Sequence, residues 1–376
     1  MERMVVGPTL EELRPVKHGG SGGARGVPVY DDLVRKLLEA RAADAQPHPV
    51  ARHVCAVLSA WAYADRATVA HVMARLGLTE CRVSLVEVDN RAMLVRGAAY
   101  LVQSRCGRVA LLAYRGSDAF ELSTWAAIAD LRPTLVPVSG NASEARVHGG
   151  FYRAQRATWA AVMSMLRDAL AGESTIDGVQ APAGRLEALF ITGHGLGGAM
   201  AQLAAYRLAT DDDATYRALA ARLLHVYTFG QPMVGNAAFA RVWMEVDLLR
   251  TRVFCHTYGH DIVAHLPPRA ATPFRHVGKH FTDLGDSKSW SEEARAEPKQ
   301  ASSPLDIVRS VIPQPSQVGL RHGFEKIGRV GTKSIHALLN LFFKDATPYS
   351  FYDHVPTHYV VCSQPAGKLT EFDDQF

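Results

Sequence analysis

The segment Gly193-His194-Gly195-Leu196-Gly197 spaces three glycines between an apolar run, Leu186 to Ile191, and a stretch of small residues. Glycines at that spacing let a chain bend sharply from a strand into a helix. A side chain at the tip of such a bend is held out above the sheet, where a nucleophile can reach a carbonyl. The tip here is Gly195, which has no side chain. Acyl transfer also needs a histidine base, an acid to orient it, and N–H donors for the developing oxyanion. The chain offers candidates for all three. Asp261 lies in Tyr258-Gly259-His260-Asp261-Ile262-Val263, just past an apolar strand and ahead of Pro267-Pro268, which places it at a sheet's carboxyl edge. His354, in Tyr352-Asp353-His354-Val355-Pro356, follows it in chain order, with His276, His280 and His358 as competing bases. Position alone also fits a solvated turn aspartate and a surface histidine, one of 16. Ser117 closes Tyr114-Arg115-Gly116-Ser117 at the end of a strand and could offer its hydroxyl and N–H to an oxyanion. The backbone N–H of Leu196, opening the helix after the bend, is the second donor.

These residues need a sheet edge to meet on, and the patterning predicts one. Apolar residues recur at helical spacing between Tyr30 and Leu76, predicting two or three helices. Strand patterns follow at Cys81–Val88, Ala98–Val102 and Val109–Tyr114, then a long helix over Phe151–Leu170. Beyond the bend and its helix (Gly195–Ala209) come a strand at Leu223–Thr228, a helix near Asn236–Val246 and a strand at Arg252–Thr257. Strands alternating with helices predict an α/β fold with a mostly parallel sheet covered on both faces. Residues 1–28, with Gly19-Gly20-Ser21-Gly22-Gly23, read as a flexible tail. Residues 29–376 read as one domain carrying an insertion at about 284–350: a charged loop over Asp283–Pro304, then a basic amphipathic stretch over His322–Lys344.

The chain has 376 residues, 48% hydrophobic and 21% charged, with a formal net charge of +4. This is ordinary globular composition, and a charge so small and so spread predicts no nucleic-acid binding. Five scattered cysteines read as reduced side chains. No apolar run is long enough for a membrane span, and the first residues show no signal-peptide pattern, so a cytoplasmic location is the expectation. Cys255, His256, His260, His265, His276 and His280 are dense but lack metal-ligand spacing, so neither a metal nor another cofactor is expected.

Taken together, the motifs resemble the class 3, fungal-lipase-like family of α/β-hydrolases. Leu58-Ser59-Ala60-Trp61-Ala62-Tyr63 begins the matching stretches. Tyr114-Arg115-Gly116-Ser117 is similar to the family's oxyanion segment, and Val147-His148-Gly149-Gly150-Phe151-Tyr152 to its V-H-x-G-F turn. Thr228-Phe229-Gly230-Gln231-Pro232-Met233-Val234-Gly235-Asn236 follows T-F-G-x-P-x-V-G-N. Asp261-Ile262-Val263 with His265-Leu266-Pro267-Pro268 resembles the segment of the catalytic aspartate, and Asp353-His354 with Tyr359 that of the catalytic histidine. Phe274-Arg275-His276-Val277-Gly278 matches a structural loop, which lowers His276 as a base. The resemblance implies an α/β-hydrolase fold, Asp261 and His354 beside the bend, and Ser117 and Leu196 as oxyanion donors. It also implies a lid near Asp118–Leu131 that includes Phe120, Trp125 and Ile128, and a lipid or small ester as substrate.

The departure is Gly195, where the family carries its serine. Loss of a triad nucleophile costs about six orders of magnitude in turnover. What survives is a rate about 10³–10⁴-fold over water. The expectation is therefore little or no ester turnover, with slow hydrolysis by an activated water as the residual route. The alternative is a non-catalytic module that binds an acyl chain or a protein partner. His322–Lys344 is a candidate for peripheral contact with an anionic membrane, against the plainer reading of a helix packed on the domain.

Overall fold

The computed structural model describes residues 28–40, 46–90, 95–116, 133–135, 144–267, 273–283, 290–292, 350 and 352–367. Ser117, the lid residues Phe120, Trp125 and Ile128, the tail to residue 27 and the basic stretch His322–Lys344 lie outside these.

Three helices lead the described chain: α1 (Leu33–Glu39), α2 (Pro49–Trp61) and α3 (Arg66–Leu76). Each start is marked in the sequence. Pro49 occupies the first turn of α2, where a missing N–H costs nothing, and Asp65 accepts from Thr68 N at 2.9 Å to cap α3. Then come β1 (Arg82–Asn90), β2 (Val95–Gln103), β3 (Val109–Tyr114), the short β4 (Pro133–Leu135) and β5 (Arg146–His148), and α4 (Gly149–Ala171). Next are β6 (Ala188–His194), α5 (Leu196–Thr210), α6 (Ala214–Arg222) and β7 (Leu223–Phe229). The chain continues through β8 (Gly235–Asn236), α7 (Ala237–Glu245), α8 (Asp247–Arg252) and β9 (Val253–Tyr258). The last strands are β10 (Phe274–Arg275), β11 (Lys279–Asp283) and β12 (Ser291–Glu292), and α9 (Pro356–Ser363) closes the described chain.

Eight strands form the main sheet in the order β1-β2-β3-β6-β7-β9-β11-β12. Pairing is parallel from β3 through β11 and antiparallel for β1–β2, β2–β3 and β11–β12. The central strands β3, β6 and β7 are buried along their whole length, as parallel strands covered on both faces must be. Their alternate residues feed two cores. Leu112, Ile191 and Val226 pack with α4, α5 and α7 on one face. Leu111, Phe190 and Tyr227 pack with α1, α2 and α3 on the other. Helix α5 is buried almost throughout, which its glycine- and alanine-rich start permits. Among the described residues no helix is long and apolar enough to cross a membrane.

This is the α/β architecture the patterning predicts, with differences that include a second, unpredicted sheet of short strands in the order β10-β8-β5-β4. Helices α6 and α8 go unpredicted, because each buries a single leucine, Leu219 or Leu249, and so shows little apolar periodicity. Strand β11 is also missed; its run Lys279-His280-Phe281-Thr282-Asp283 holds one strongly apolar residue, and parallel pairing with β9 is what makes it a strand. The polar segment expected as a loop over Asp283–Pro304 is corrected in part. Asp283 ends β11, and Ser291–Glu292 pairs with Thr282 and Phe281 as an edge strand, where polar residues suffice because one side faces solvent.

Candidate active site

The carboxyl ends of β6, β7 and β9 meet, and each supplies one part of the site. At the end of β6 the chain bends through Gly195, whose φ of 56° and ψ of −126° lie where side chains are strained. The bend is anchored by Gly195 N–H donating to Phe229 O at 2.9 Å. Its flanking glycines are dictated by contact. A Cβ on Gly193 would lie 2.3 Å from the Gly197 backbone, and one on Gly197 would lie 2.1 Å from Tyr114 O. Leu196 is the first residue of α5, so its N–H is one of those a helix start leaves without an intrahelical partner. It lies at the end where the helix dipole is positive.

Asp261 follows β9 on a turn ending in a short 3₁₀ segment, Ile262–His265. Its Oδ1 accepts from Val263 N at 2.8 Å, which fixes the carboxylate, and its Oδ2 accepts from His354 Nδ1 at 2.8 Å. The Tyr359 hydroxyl on α9 donates to the same Oδ2. Asp261 and His354 are both buried. Two clamps hold the histidine segment against the aspartate segment: Ser350 N donates to His260 O at 2.7 Å, and His260 N to Asp353 Oδ2 at 2.7 Å. Gly230, at the end of β7, faces the pair; a Cβ there would stand 2.5 Å from Asp261 Oδ2 and 2.9 Å from His354 Nδ1.

His354 Nε2 is turned to the bend. It would lie 3.0 Å from a Cβ on residue 195. With Nδ1–H given to the carboxylate, Nε2 presents a lone pair, the arrangement of a general base. The competing histidines are elsewhere. His276 is buried and bonded to Ala264 O at 2.7 Å; His280 packs against it on β11, and burial pushes its pKa down to about 4. His358 stacks on Tyr258. Cys255 and His256 are neighbours on one strand and so face opposite sides of the sheet, and among the described residues no three ligating side chains converge on one point.

Three polar residues complete the site without having been assigned a role from the sequence. Tyr359 holds the aspartate, and burial beside that carboxylate raises its phenol pKa well above the usual value. His194 lies against the His354 ring at 4.3 Å between centroids, and its Nε2 is 2.8 Å from His354 O. Tyr63, just past α2, has its hydroxyl 2.9 Å from His194 Nδ1. All three sit inside quoted motifs, but side-chain contacts between remote segments leave no mark in spacing. The Tyr63, Gly116 and Leu196 side of the bend opens into a cavity of about 210 Å³ that is also walled by the Arg115–Glu87 ion pair.

Residues 111–271 match a family model described as Lipase (class 3). A lipase of Rhizomucor miehei is 29% identical over 238 residues, covering 62% of this chain and 57% of the relative, so the chain spans a little over half of that protein's length. A triacylglycerol lipase of Arabidopsis thaliana is 34% identical over 124 residues, 32% of this chain and 23% of the relative. Among solved structures, a propeptide complex of a Rhizomucor miehei lipase deletion mutant is similar in fold. Its TM-score is 0.53 at 18% identity, over 95% of this chain and 98% of that one.

Proposed function

Because the chain belongs, through residues 111–271, to the class 3 lipase family, we propose that it is a scaffold for cleaving carboxylic esters of lipids whose acyl-enzyme route is closed at position 195. The observation carrying this reading is the distance of 3.0 Å from His354 Nε2 to the point where a side chain on residue 195 would begin. In the proposed reaction Asp261 orients His354 and stabilises the imidazolium. Leu196 N–H and Ser117 receive the oxyanion, and a serine at 195 would attack the carbonyl. Glycine removes the attacking atom and leaves the rest. The substrate would be an acylglycerol, a phospholipid or a smaller ester, with Phe120, Trp125 and Ile128 in a lid over the pocket.

The test is Gly195→Ser. Turnover of a short-chain ester should rise by about 10³-fold or more, with stoichiometric fluorophosphonate labelling. A serine variant that stays inactive and unlabelled would refute this reading and favour a lipase-like module that only binds an acyl chain or a partner.

A further inference from the structure

Around the point where a Cβ on residue 195 would stand, the nearest atoms among the described residues are His354 Nε2 at 3.0 Å, His354 Cε1 at 3.3 Å and Tyr63 Oη at 4.0 Å. A ring nitrogen and a phenol oxygen thus both lie within 4.0 Å of the point where a nucleophilic side chain would begin. These come from segments near opposite ends of the described chain, 63 and 354.

The proton positions on both atoms follow from their neighbours. Asp261 Oδ2 takes the hydrogen bond from His354 Nδ1, so Nε2 is an acceptor. His194 Nε2 is 2.8 Å from a backbone carbonyl oxygen, which can only accept, so that nitrogen carries the proton. The ring stays neutral, because burial and the neighbouring His354 hold its pKa well below the usual value. His194 Nδ1 is therefore a lone pair, and the Tyr63 hydroxyl 2.9 Å away donates to it. With its proton directed to His194, the Tyr63 oxygen faces the site as an acceptor. Two acceptors border one small volume, and a water molecule has two protons to give.

We propose that this chain uses a water molecule held between His354 Nε2 and Tyr63 Oη as its nucleophile, hydrolysing activated carboxylic esters directly with no covalent intermediate. The inference rests on the reading above, in that the same bend and Leu196 N–H place the ester carbonyl. The water oxygen bonds to the carbonyl carbon while one of its protons passes to Nε2 and the C=O π pair moves onto the oxyanion. Tyr63 accepts a hydrogen bond from the other proton and aims the oxygen lone pair without taking that proton. Collapse of the tetrahedral species breaks the bond to the alcohol oxygen, which takes the proton from the imidazolium. Acid and alcohol are released, and both enzyme groups return to their starting state. His194 is a positioning residue, keeping the phenol in its acceptor role.

The experiment compares the unaltered protein with Tyr63→Phe and His354→Ala on p-nitrophenyl butyrate, with Gly195→Ser prepared alongside. Thermal midpoints establish that each variant is folded. The unaltered protein should hydrolyse the ester above the His354→Ala level, with linear progress curves and no inhibition by a fluorophosphonate. Tyr63→Phe should lower kcat about tenfold, the worth of one ordered hydrogen bond. A rate indifferent to both substitutions, or no rate above His354→Ala, overturns the water route. If the serine variant is active and labelled in that case, the lipase-scaffold reading stands without it. If instead the serine variant is dead while both substitutions slow the unaltered protein, the water route stands and the acyl-enzyme reading falls.

Discussion

The bend at the end of β6 and the acid–histidine cluster at the end of β9 face each other, but they are built to different degrees of completion. In the cluster every polar group has its role: Val263 N and Tyr359 Oη hold Asp261, Asp261 holds His354, and Ser350 and Asp353 lock the two segments together. In the bend the backbone is equally determined, yet its tip bears no side chain. The glycines themselves differ. Those at 193 and 197 sit against backbone at 2.3 and 2.1 Å and tolerate nothing larger, whereas the nearest described atoms to a Cβ at 195 belong to an imidazole edge at 3.0 Å. Two glycines thus answer to packing. The third answers to backbone strain, and the histidine ring beside it can give way by a few tenths of an ångström where a sheet backbone cannot. The difference teaches that the approach of His354 to position 195 is set by the residues around that position and needs no side chain there.

The sharpest way to break this contrast is to disable the cluster once the bend has been completed. In the Gly195→Ser background, Asp261→Asn should cost about 10⁴-fold in kcat, because the imidazole then loses its oriented tautomer. A loss below tenfold would mean that the cluster does not serve the bend. Next is the pair Gly197→Ala and Gly195→Ala, read by urea denaturation. The first should cost more than about 4 kcal/mol or prevent folding, since backbone must move. The second should cost about 1–3 kcal/mol, the strain of a side chain at that φ. Equal costs would erase the distinction between the glycines.

Acid stability sharpens the comparison from outside the site. Burial lowers the pKa of His280 to about 4, and of His53 and His225 to about 3. The folded state then binds fewer protons than the unfolded one between those values and the ordinary histidine pKa of about 6.5. Stability should therefore fall as pH drops from about 6.5 towards 4, at roughly 1.4 kcal/mol per pH unit for each such histidine, and level off only below the folded values. Urea midpoints at pH 7 and 5 check the sign, and His280→Asn should flatten the slope. The smallest effect is expected at Tyr359. In the serine background Tyr359→Phe removes one hydrogen bond to a carboxylate and should lower kcat about tenfold. An unchanged kcat would show that Val263 N alone suffices to hold the acid.

Much of this site is legible in the residues. The alternation of strand and helix runs, the glycine spacing about 195, and the order Asp261 before His354 all leave local marks, because period and turn chemistry are properties of neighbouring residues. Residues that act by touching remote segments leave none. Tyr63 and His194 stand in recognisable motifs, yet nothing in those motifs says that one phenol proton is given to an imidazole 131 positions away. Strand β11 and the edge strand β12 are similarly invisible, since their pairing partners, not their composition, make them strands.

The amino-acid order therefore settled the class of fold, the order of Asp261 before His354, and the want of a side chain at 195, since each is written in residue types and their short-range spacing. Folding in three dimensions decided which of several histidines faces the bend, that a tyrosine holds the aspartate, and that a second tyrosine and a second histidine pack beside the pair. Those outcomes depend on which side chains a twisted parallel sheet carries to one edge, and distance along the chain carries no record of that.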